Sequence, residues 1–530
     1  MSWHNSAIFY ELYVRAFMDG NGDGRGDLAG LRQRLDYLQW LGIDCIWLLP
    51  INPSPLKDDG YDVGSYYGIH PMYGMLEDFM ITVEEIHRRG MKLIVDMVMN
   101  HTSDQHPWFQ EARRSVDSPL RDYYVWTKDP SKYKDARIIF LDTERSNWAY
   151  SAPTGEYYWH RFYSSQPDLN YDNPDVRRKM MDAVKFWLDL GVDGFRLDAV
   201  PYLYERDGTN CENLPETHVF LKELRRFVDE SYPGRILLAE ANQWPQDLLP
   251  YFGNGDELHM CFNFPLMPRL FMALAKGDRT PVIDVMAMMP EIPENCQWAT
   301  FLRNHDELTL EMVTPEERHF MWDFYAPDFR SRLNLGIRRR LAPLLSNDHD
   351  KMALMHSLLF TLPGAPVMYY GDEIGMGDNV GLPDRDGVRT PMQWEDTIHA
   401  GFSSTMSDAL YNEPLRDPIY GFQNVNVTTQ MADEHSLLNT VRNMIMRYKA
   451  LPVLAKGKLE WLMDTPKGTL CFVRGTGSDR LIALHNLTGE PHVIPFAEWQ
   501  VCCDAFNSEA ELSEYITLPP YGFRWLVPIG

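Results

Sequence analysis

Cysteine is scarce and unpatterned in this chain of 530 residues: seven, at 45, 211, 261, 296, 471, 502 and 503, an odd number without metal-ligand spacing. That excludes a disulfide framework and points to reduced thiols in a reducing compartment. Long apolar runs are missing as well. Stretches such as Cys45-Ile-Trp-Leu-Leu49 stop far short of the ~18 residues a membrane-spanning helix needs. The first residues, Met1-Ser-Trp-His-Asn-Ser, lack the basic-then-apolar order of a signal peptide, so a cytoplasmic location is expected. Basic charge is in deficit: 50 Lys and Arg against 75 Asp and Glu leave a net charge of −25. Such a surface repels phosphate backbones and anionic headgroups, which excludes nucleic acid and membrane partners and leaves a homo-oligomer open. A phosphate-binding glycine loop is also absent. The one glycine-dense stretch, Gly20-Asn-Gly-Asp-Gly-Arg-Gly26, departs from G-x-G-x-x-G spacing and carries acids, so no organic cofactor is expected.

What the chain does contain is a repeated unit: an amphipathic helix, a glycine just past its end, then a short apolar run. Residues 27–41 place Leu31, Leu35 and Leu38 on one face, Gly42 follows as the stop, and 45–49 continues without polar alternation. Residues 77–89, Gly90 and 92–97 repeat this. So does 173–191, opened by an Asn173 cap and Pro174 and followed by 194–197. Further strands are expected at 8–14, 236–239, 258–262, 297–301 and 367–370. Eight strands alternating with helices fit either a closed (β/α)8 barrel or an open doubly wound sheet. The polar residues favour the barrel, because Asn100-His101, Arg196-x-Asp198, Glu240 and Asn304-His305-Asp306 all follow strand C-termini.

The expected organisation is α/β: a barrel of residues 1–101 and 172–451, and an inserted subdomain at 102–171 after strand three. A lid-like insertion is expected at 307–347 after strand seven, with latch candidates Glu311 and Arg332, and a C-terminal antiparallel β-sandwich at 452–530.

Asp198, Glu240 and Asp306 are three carboxylates at the ends of three different strands, facing one mouth. Retaining glycoside cleavage needs a carboxylate nucleophile and a general acid about 5–5.5 Å apart, near a cation-like transition state. Arg196, two residues before Asp198, is expected to hold Asp198 ionised by lowering its pKa, and the surrounding acids to push Glu240 up. His101 and His305 stand beside the trio as neutral hydroxyl donors. The aromatic cluster at 157–163 is expected to be mostly core, with part of it lining the entrance.

Four segments carry a resemblance. Asp96-Met-Val-Met-Asn-His101, Gly194-Phe-Arg-Leu-Asp198, Glu240 after Leu-Leu-Ala, and Phe301-Leu-Arg-Asn-His-Asp306 resemble the signature segments of the α-amylase family of glycoside hydrolases and transglucosylases. The resemblance implies Asp198 as nucleophile, Glu240 as acid/base and Asp306 as transition-state stabiliser. It further implies that Asp58, Tyr61, His101, Arg196 and His305, with Gln166 and Arg385, grip the sugar on the non-reducing side of the scissile bond. The stretches 239–244, 295–313, 334–340 and 386–394 resemble the branch of that family that interconverts maltose and trehalose; Asp96 departs from the Glu expected there. An α-glucosidase or a transglucosylase acting on short α-glucosides shares every catalytic residue and stays open as a reading. An inactive barrel serving as a binding or transporter-accessory subunit is the third, and the intact trio argues against it.

Calcium is the one cofactor expected. Asp19-x-Asn21-x-Asp23-Gly24-x-x-Asp27 spaces oxygen donors two apart, as a calcium loop does, with Arg25 inside the loop. Gly30 stands where an EF-hand places Glu, so Asp27 must close the site. A second set, Asn100, Asp168 and Glu205 with the carbonyls of Tyr202 and Leu203, is implied by the resemblance alone.

Overall fold

The computed structural model describes residues 2–406, 410–495, 502–506, 510–511 and 514–528. Eight parallel strands close into a barrel: β1 (Phe9–Leu12), β2 (Cys45–Leu48), β3 (Lys92–Val98), β4 (Gly194–Asp198), β5 (Ile236–Ala239), β6 (Met260–Phe262), β7 (Gln297–Phe301) and β8 (Ala365–Tyr369). Each pairs with its sequence neighbours, and β1 closes the ring by pairing with β2 through Phe9↔Cys45 and with β8 through Phe9↔Val367. The strands are apolar on both faces because side chains fill the barrel interior while helices cover the outside, which removes any alternation from the sequence. The closed barrel is the expected fold.

Local signals set most boundaries. Asn173 caps the helix Pro174–Asp189 by accepting from the Asp175 N–H, and Gly42 ends the helix Leu35–Leu41 at φ 99°, a conformation a side chain resists. Two expectations shift. Residues 27–41 form two helices, Leu28–Gln33 and Leu35–Leu41, broken at Arg34 (φ −108°, ψ 4°), whose guanidinium lies 4.3 Å over the Trp394 ring. Strand β8 begins at Ala365 and carries Pro366, a residue that demotes a strand when read from sequence alone.

Between β3 and its helix, a short helix (Pro107–Ala112) and a three-stranded sheet (Trp126–Thr127, Trp148–Ser151, Glu156–Trp159) stand beside the barrel mouth, with Ala136, Trp148, Trp159 and Cys211 in a small core. After β7, three two-residue strands (Leu308–Thr309, Arg332–Leu333, Gly336–Ile337) surround the helix Pro315–Tyr325. Thr314 and Glu317 form a reciprocal cap at the start of that helix. C-terminally, the described strands make a six-stranded sheet and a two-stranded ribbon, which share one apolar core containing Val473, Leu484, Ile494, Ile516 and Leu518. Buried Arg474 fastens this domain to the barrel by donating to the carbonyls of Thr361, Leu454 and Gly457. No helix among the described residues is long and apolar enough to cross a membrane.

Candidate active site

Strand direction gathers the chemistry at one end of the barrel. Asp198 is the last residue of β4, Glu240 follows β5, and Asn304-His305-Asp306 follow β7. They open into a cavity walled also by Asp58, Tyr61, His101, Gln166 and Arg385, polar groups converging among aromatic side chains as small-molecule sites do. The inserted subdomain contributes Ile139, Phe140 and Phe162 to its walls, and the β7 insertion contributes Glu307, Thr309 and Glu311. Within the aromatic cluster, Phe162 reaches the cavity whereas Trp159 is core.

Arg196 organises the floor. Its Nη1 lies 2.7 Å from Asp198 Oδ1 and its Nη2 2.8 Å from Glu240 Oε1, and Nη1 also binds Asp96. Two carboxyl groups that share one guanidinium leave no room for the water that inversion places between carboxylates ~6.5–9.5 Å apart. Trp47 Nε1 donates to Asp96 at 2.8 Å, so the shorter Asp at this position still reaches both partners.

Burial is the largest influence on the trio. It pushes Asp198 up to about 6, with Arg196 opposing it and Asp96 adding to it. Arg196 lowers this carboxyl as expected, but the expected net direction is corrected: one guanidinium divided among Asp96, Asp198 and Glu240 does not outweigh the loss of solvent. Burial also raises Glu240 to about 8, helped by the neighbouring charges of Asp198 and Asp306 against Arg196. Asp306 behaves oppositely: burial disfavours its charge, but His305, Arg385 and Arg389 hold it below the ordinary carboxylate range.

The remaining candidates meet around this floor. Tyr61 stacks on His305 (5.3 Å, 6°) and its hydroxyl contacts His305 Nε2 at 2.8 Å. Gln166 donates to Asp58 Oδ2 at 2.8 Å, and Arg385 approaches the other oxygen of Asp58 at 3.4 Å. His101 Nε2 lies 3.2 Å from the Tyr61 carbonyl, so the ring is turned toward β2's loop as well as the cavity. Three residues were passed over. Arg389 donates to the His305 carbonyl, to Asp59 (2.6 Å) and to Asp306 (3.1 Å), and Glu11 on β1 touches His305. Asn242 donates to Glu311 at 2.8 Å. Arg389 lies inside the 386–394 stretch, a signal that was available; Glu11 carries none, being one polar residue in an apolar strand.

Of the calcium candidates, the loop acids satisfy backbone groups: Asp19 accepts N–H groups of Gly22 (2.7 Å) and Gly24 (2.8 Å) and the Ser403 hydroxyl, and Asp27 that of Gly30 (2.6 Å). Asn21 and Asp23 accept from Asp23 and Arg25 N–H groups, both at 2.9 Å. The second set is different. Asn100 Oδ1, Asp168 Oδ2 and Glu205 Oε1 are buried without a hydrogen-bond partner, beside the turn Val200–Tyr202 and Leu203. Burial raises Asp168 to about 8 and lifts Glu205 well above its ordinary range. Orphaned oxygens of this kind fit a hard cation. Among the described residues, no three His, Cys, Asp or Glu side chains are grouped to hold a metal without amide or carbonyl donors.

The profile of the α-amylase catalytic domain matches residues 11–320 and 338–457. The chain belongs to the α-amylase family. Within it, the chain is 53% identical over 540 residues to the trehalose synthase/amylase TreS of Mycobacterium tuberculosis, covering 99% of this chain and 90% of that protein. It is 51% identical over 545 residues to the trehalose synthase of Pimelobacter sp., covering 99% and 95%. Among solved structures, that of the trehalulose synthase MutB from Pseudomonas mesoacidophila MX-45 superposes with a TM-score of 0.80 at 27% identity, over 99% of this chain and all of that one.

Proposed function

We propose that this chain isomerises maltose to trehalose by intramolecular glucosyl transfer with retention, releasing a minor share of glucose. The observation that carries the reading is the pair Asp198 and Glu240 on one guanidinium, inside a cavity whose wall residue Glu311 is tied to the other insertion by an ion pair (Arg137 Nη1 to Glu311 Oε2, 3.1 Å). Identity of 51–53% to trehalose synthases over nearly the whole chain supports the same reaction.

In this reading Asp198 attacks the anomeric carbon of the non-reducing glucose while Glu240 protonates the departing glycosidic oxygen, giving a glucosyl ester and free glucose. The glucose turns in place. Glu240, now the base, takes a proton from its anomeric hydroxyl, which attacks the anomeric carbon of the glucosyl ester and breaks that carbon's bond to the Asp198 oxygen. Asp306, held ionised, stabilises the positive charge at the anomeric centre and takes hydroxyl hydrogen bonds; Asp58, Tyr61, His101, Gln166, Arg196, His305 and Arg385 fix the glucosyl unit. No organic cofactor enters these steps. Incubation with maltose tests the reading: trehalose as the main product is expected, and glucose alone would make the enzyme an α-glucosidase.

The two raised carboxyls predict a pH profile. Asp198 works ionised, so kcat/KM is lost as pH falls through about 6; Glu240 works protonated, so it is lost as pH rises through about 8. Because the groups interact, the limbs belong to the pair. A profile that climbs steadily from pH 5 to pH 9 counts against this assignment.

Calcium would be held by Asn100, Asp168 and Glu205 with the Tyr202 and Leu203 carbonyls, where it neutralises two buried carboxylates, and by the Asp19, Asn21, Asp23, Arg25 and Asp27 loop. Exhaustive chelation is expected to lower Tm more than it lowers activity at moderate temperature. Ligand at about 100 times its Kd contributes on the order of 2.7 kcal/mol. An unchanged Tm, with no calcium by elemental analysis, removes both sites. The unpaired cysteines, none of which forms a disulfide among the described residues, support a cytoplasmic location.

A further inference from the structure

One buried acid has no place in the steps above. Glu11 on β1 is fully buried and lies behind His305, outside the cavity lining. Its Oε1 accepts the His305 main-chain N–H at 3.1 Å and meets the ring Nδ1 at 2.5 Å, while Oε2 has no hydrogen-bond partner among the described residues. On the opposite side of the ring, Nε2 lies 2.8 Å from the Tyr61 hydroxyl and 3.1 Å from Asp306 Oδ2. Tyr61 stacks on one face of the ring and Trp47 packs against it in a T-shaped arrangement, centroids 6.0 Å apart.

Counting protons decides what this arrangement does. A contact of 2.5 Å between Oε1 and Nδ1 holds one proton. If that were the only exchangeable proton of the pair, Nε2 would be bare; the Tyr61 hydroxyl at 2.8 Å could donate to it, but the Asp306 carboxylate at 3.1 Å would still face its lone pair, with a second anion buried behind the ring. Two facing anions around a neutral ring in a dry site are costly. If the pair holds two protons, the second sits on Nε2 and makes a hydrogen bond to Asp306. Burial acts in the same direction, since it raises the Glu11 carboxyl well above its ordinary range, against the His305 main-chain N–H and Arg196, with Asp306 and Asp96 adding to the rise. What one imidazole nitrogen binds determines what the other presents.

We propose that Glu11 is a positioning residue: by supplying a proton-bearing carboxyl to His305 Nδ1, it commits the ring's own proton to Nε2, aimed at Asp306 and at a hydroxyl of the bound sugar. The proposal rests on the isomerase reading for its sugar, but not for its ring chemistry. It extends the reacting constellation one layer inward, from the barrel mouth to the interior face of β1.

The test compares two substitutions. Glu11→Leu fills the volume but offers Nδ1 nothing; Glu11→Gln offers it an amide N–H that does not dissociate. Loss of a fixed donor near the transition state predicts a fall in kcat on the order of 100-fold for Glu11→Leu, larger than any change in KM, at a Tm close to wild type. Glu11→Gln should recover kcat to within a few-fold of wild type. A space-filling role alone predicts equal activity for the two, and that result overturns the proposal, as does a Gln variant as impaired as the Leu variant. Should Glu11→Leu not fold, the Gln variant and the wild type decide by histidine ¹⁵N resonances, with His305→Asn identifying the signal. A protonated Nε2 is expected at neutral pH, and a bare Nε2 with the proton on Nδ1 overturns the inference. The spectrum is recorded on free enzyme, so it stands even if product analysis replaces isomerisation with hydrolysis.

Discussion

Asp198→Asn is expected to lower kcat for maltose on the order of 10⁴-fold or more while raising Tm slightly. The amide matches the carboxylate in volume and still accepts from Arg196, yet it cannot form the glucosyl ester. The gain in stability follows from the same burial that raises the wild-type carboxyl to about 6. A group whose folded pKa lies above its unfolded value of about 4 destabilises the fold once pH exceeds that value. At neutral pH the ionised Asp198 is therefore a cost that the neutral amide removes. Residual activity above a few per cent would reassign the nucleophile within the trio. A large drop in Tm would mean that Asp198 serves the fold rather than the reaction.

Glu311→Ala is expected to turn the enzyme from isomerisation toward hydrolysis. Isomerisation requires the departed glucose to stay longer than water takes to arrive, so closure of the cavity governs the product ratio. Glu311, on the β7 insertion, binds Arg137 of the β3 insertion and Asn242 from the loop after β5. A partly exposed ion pair contributes at most about 1 kcal/mol, and a hydrogen bond to a carboxylate about 1.5, the low end for charged acceptors, because the site is partly exposed. Together, ~2 kcal/mol makes the open state roughly 30-fold more populated. The glucose share of the products should rise on the order of 10-fold, and labelled free glucose should enter trehalose more readily. Arg332 serves as the control. Expected from sequence as a latch, it donates instead to the Ala326 carbonyl and lies 4.4 Å over the ring of Phe329, an exposed residue, and it does not line the cavity. Arg332→Ala should leave the product ratio unchanged. If Glu311→Ala also leaves it unchanged, containment falls to the second fastening, Asn334 N–H to Asp142 Oδ2 at 2.8 Å.

The sequence by itself determined the barrel, because its evidence is local. Gly42 after Leu38, Asn173 before Pro174, and apolar runs such as 236–239 and 297–301 each encode an element within a few residues, and eight such elements in alternation leave few closures. It also placed Asp198, Glu240 and His305-Asp306 at strand ends, since position along a strand survives in one dimension. Only the tertiary structure decided how their charges balance. That Arg196 must serve Asp96, Asp198 and Glu240 together, so that burial prevails at Asp198, depends on three strands meeting at one guanidinium. The same holds for Glu11 behind His305, 294 residues apart in sequence, and for Arg137 over Glu311, each from a different insertion. Solvent exclusion and ion pairing are properties of neighbours in space, and a chain read residue by residue carries no record of which strangers it will bury together.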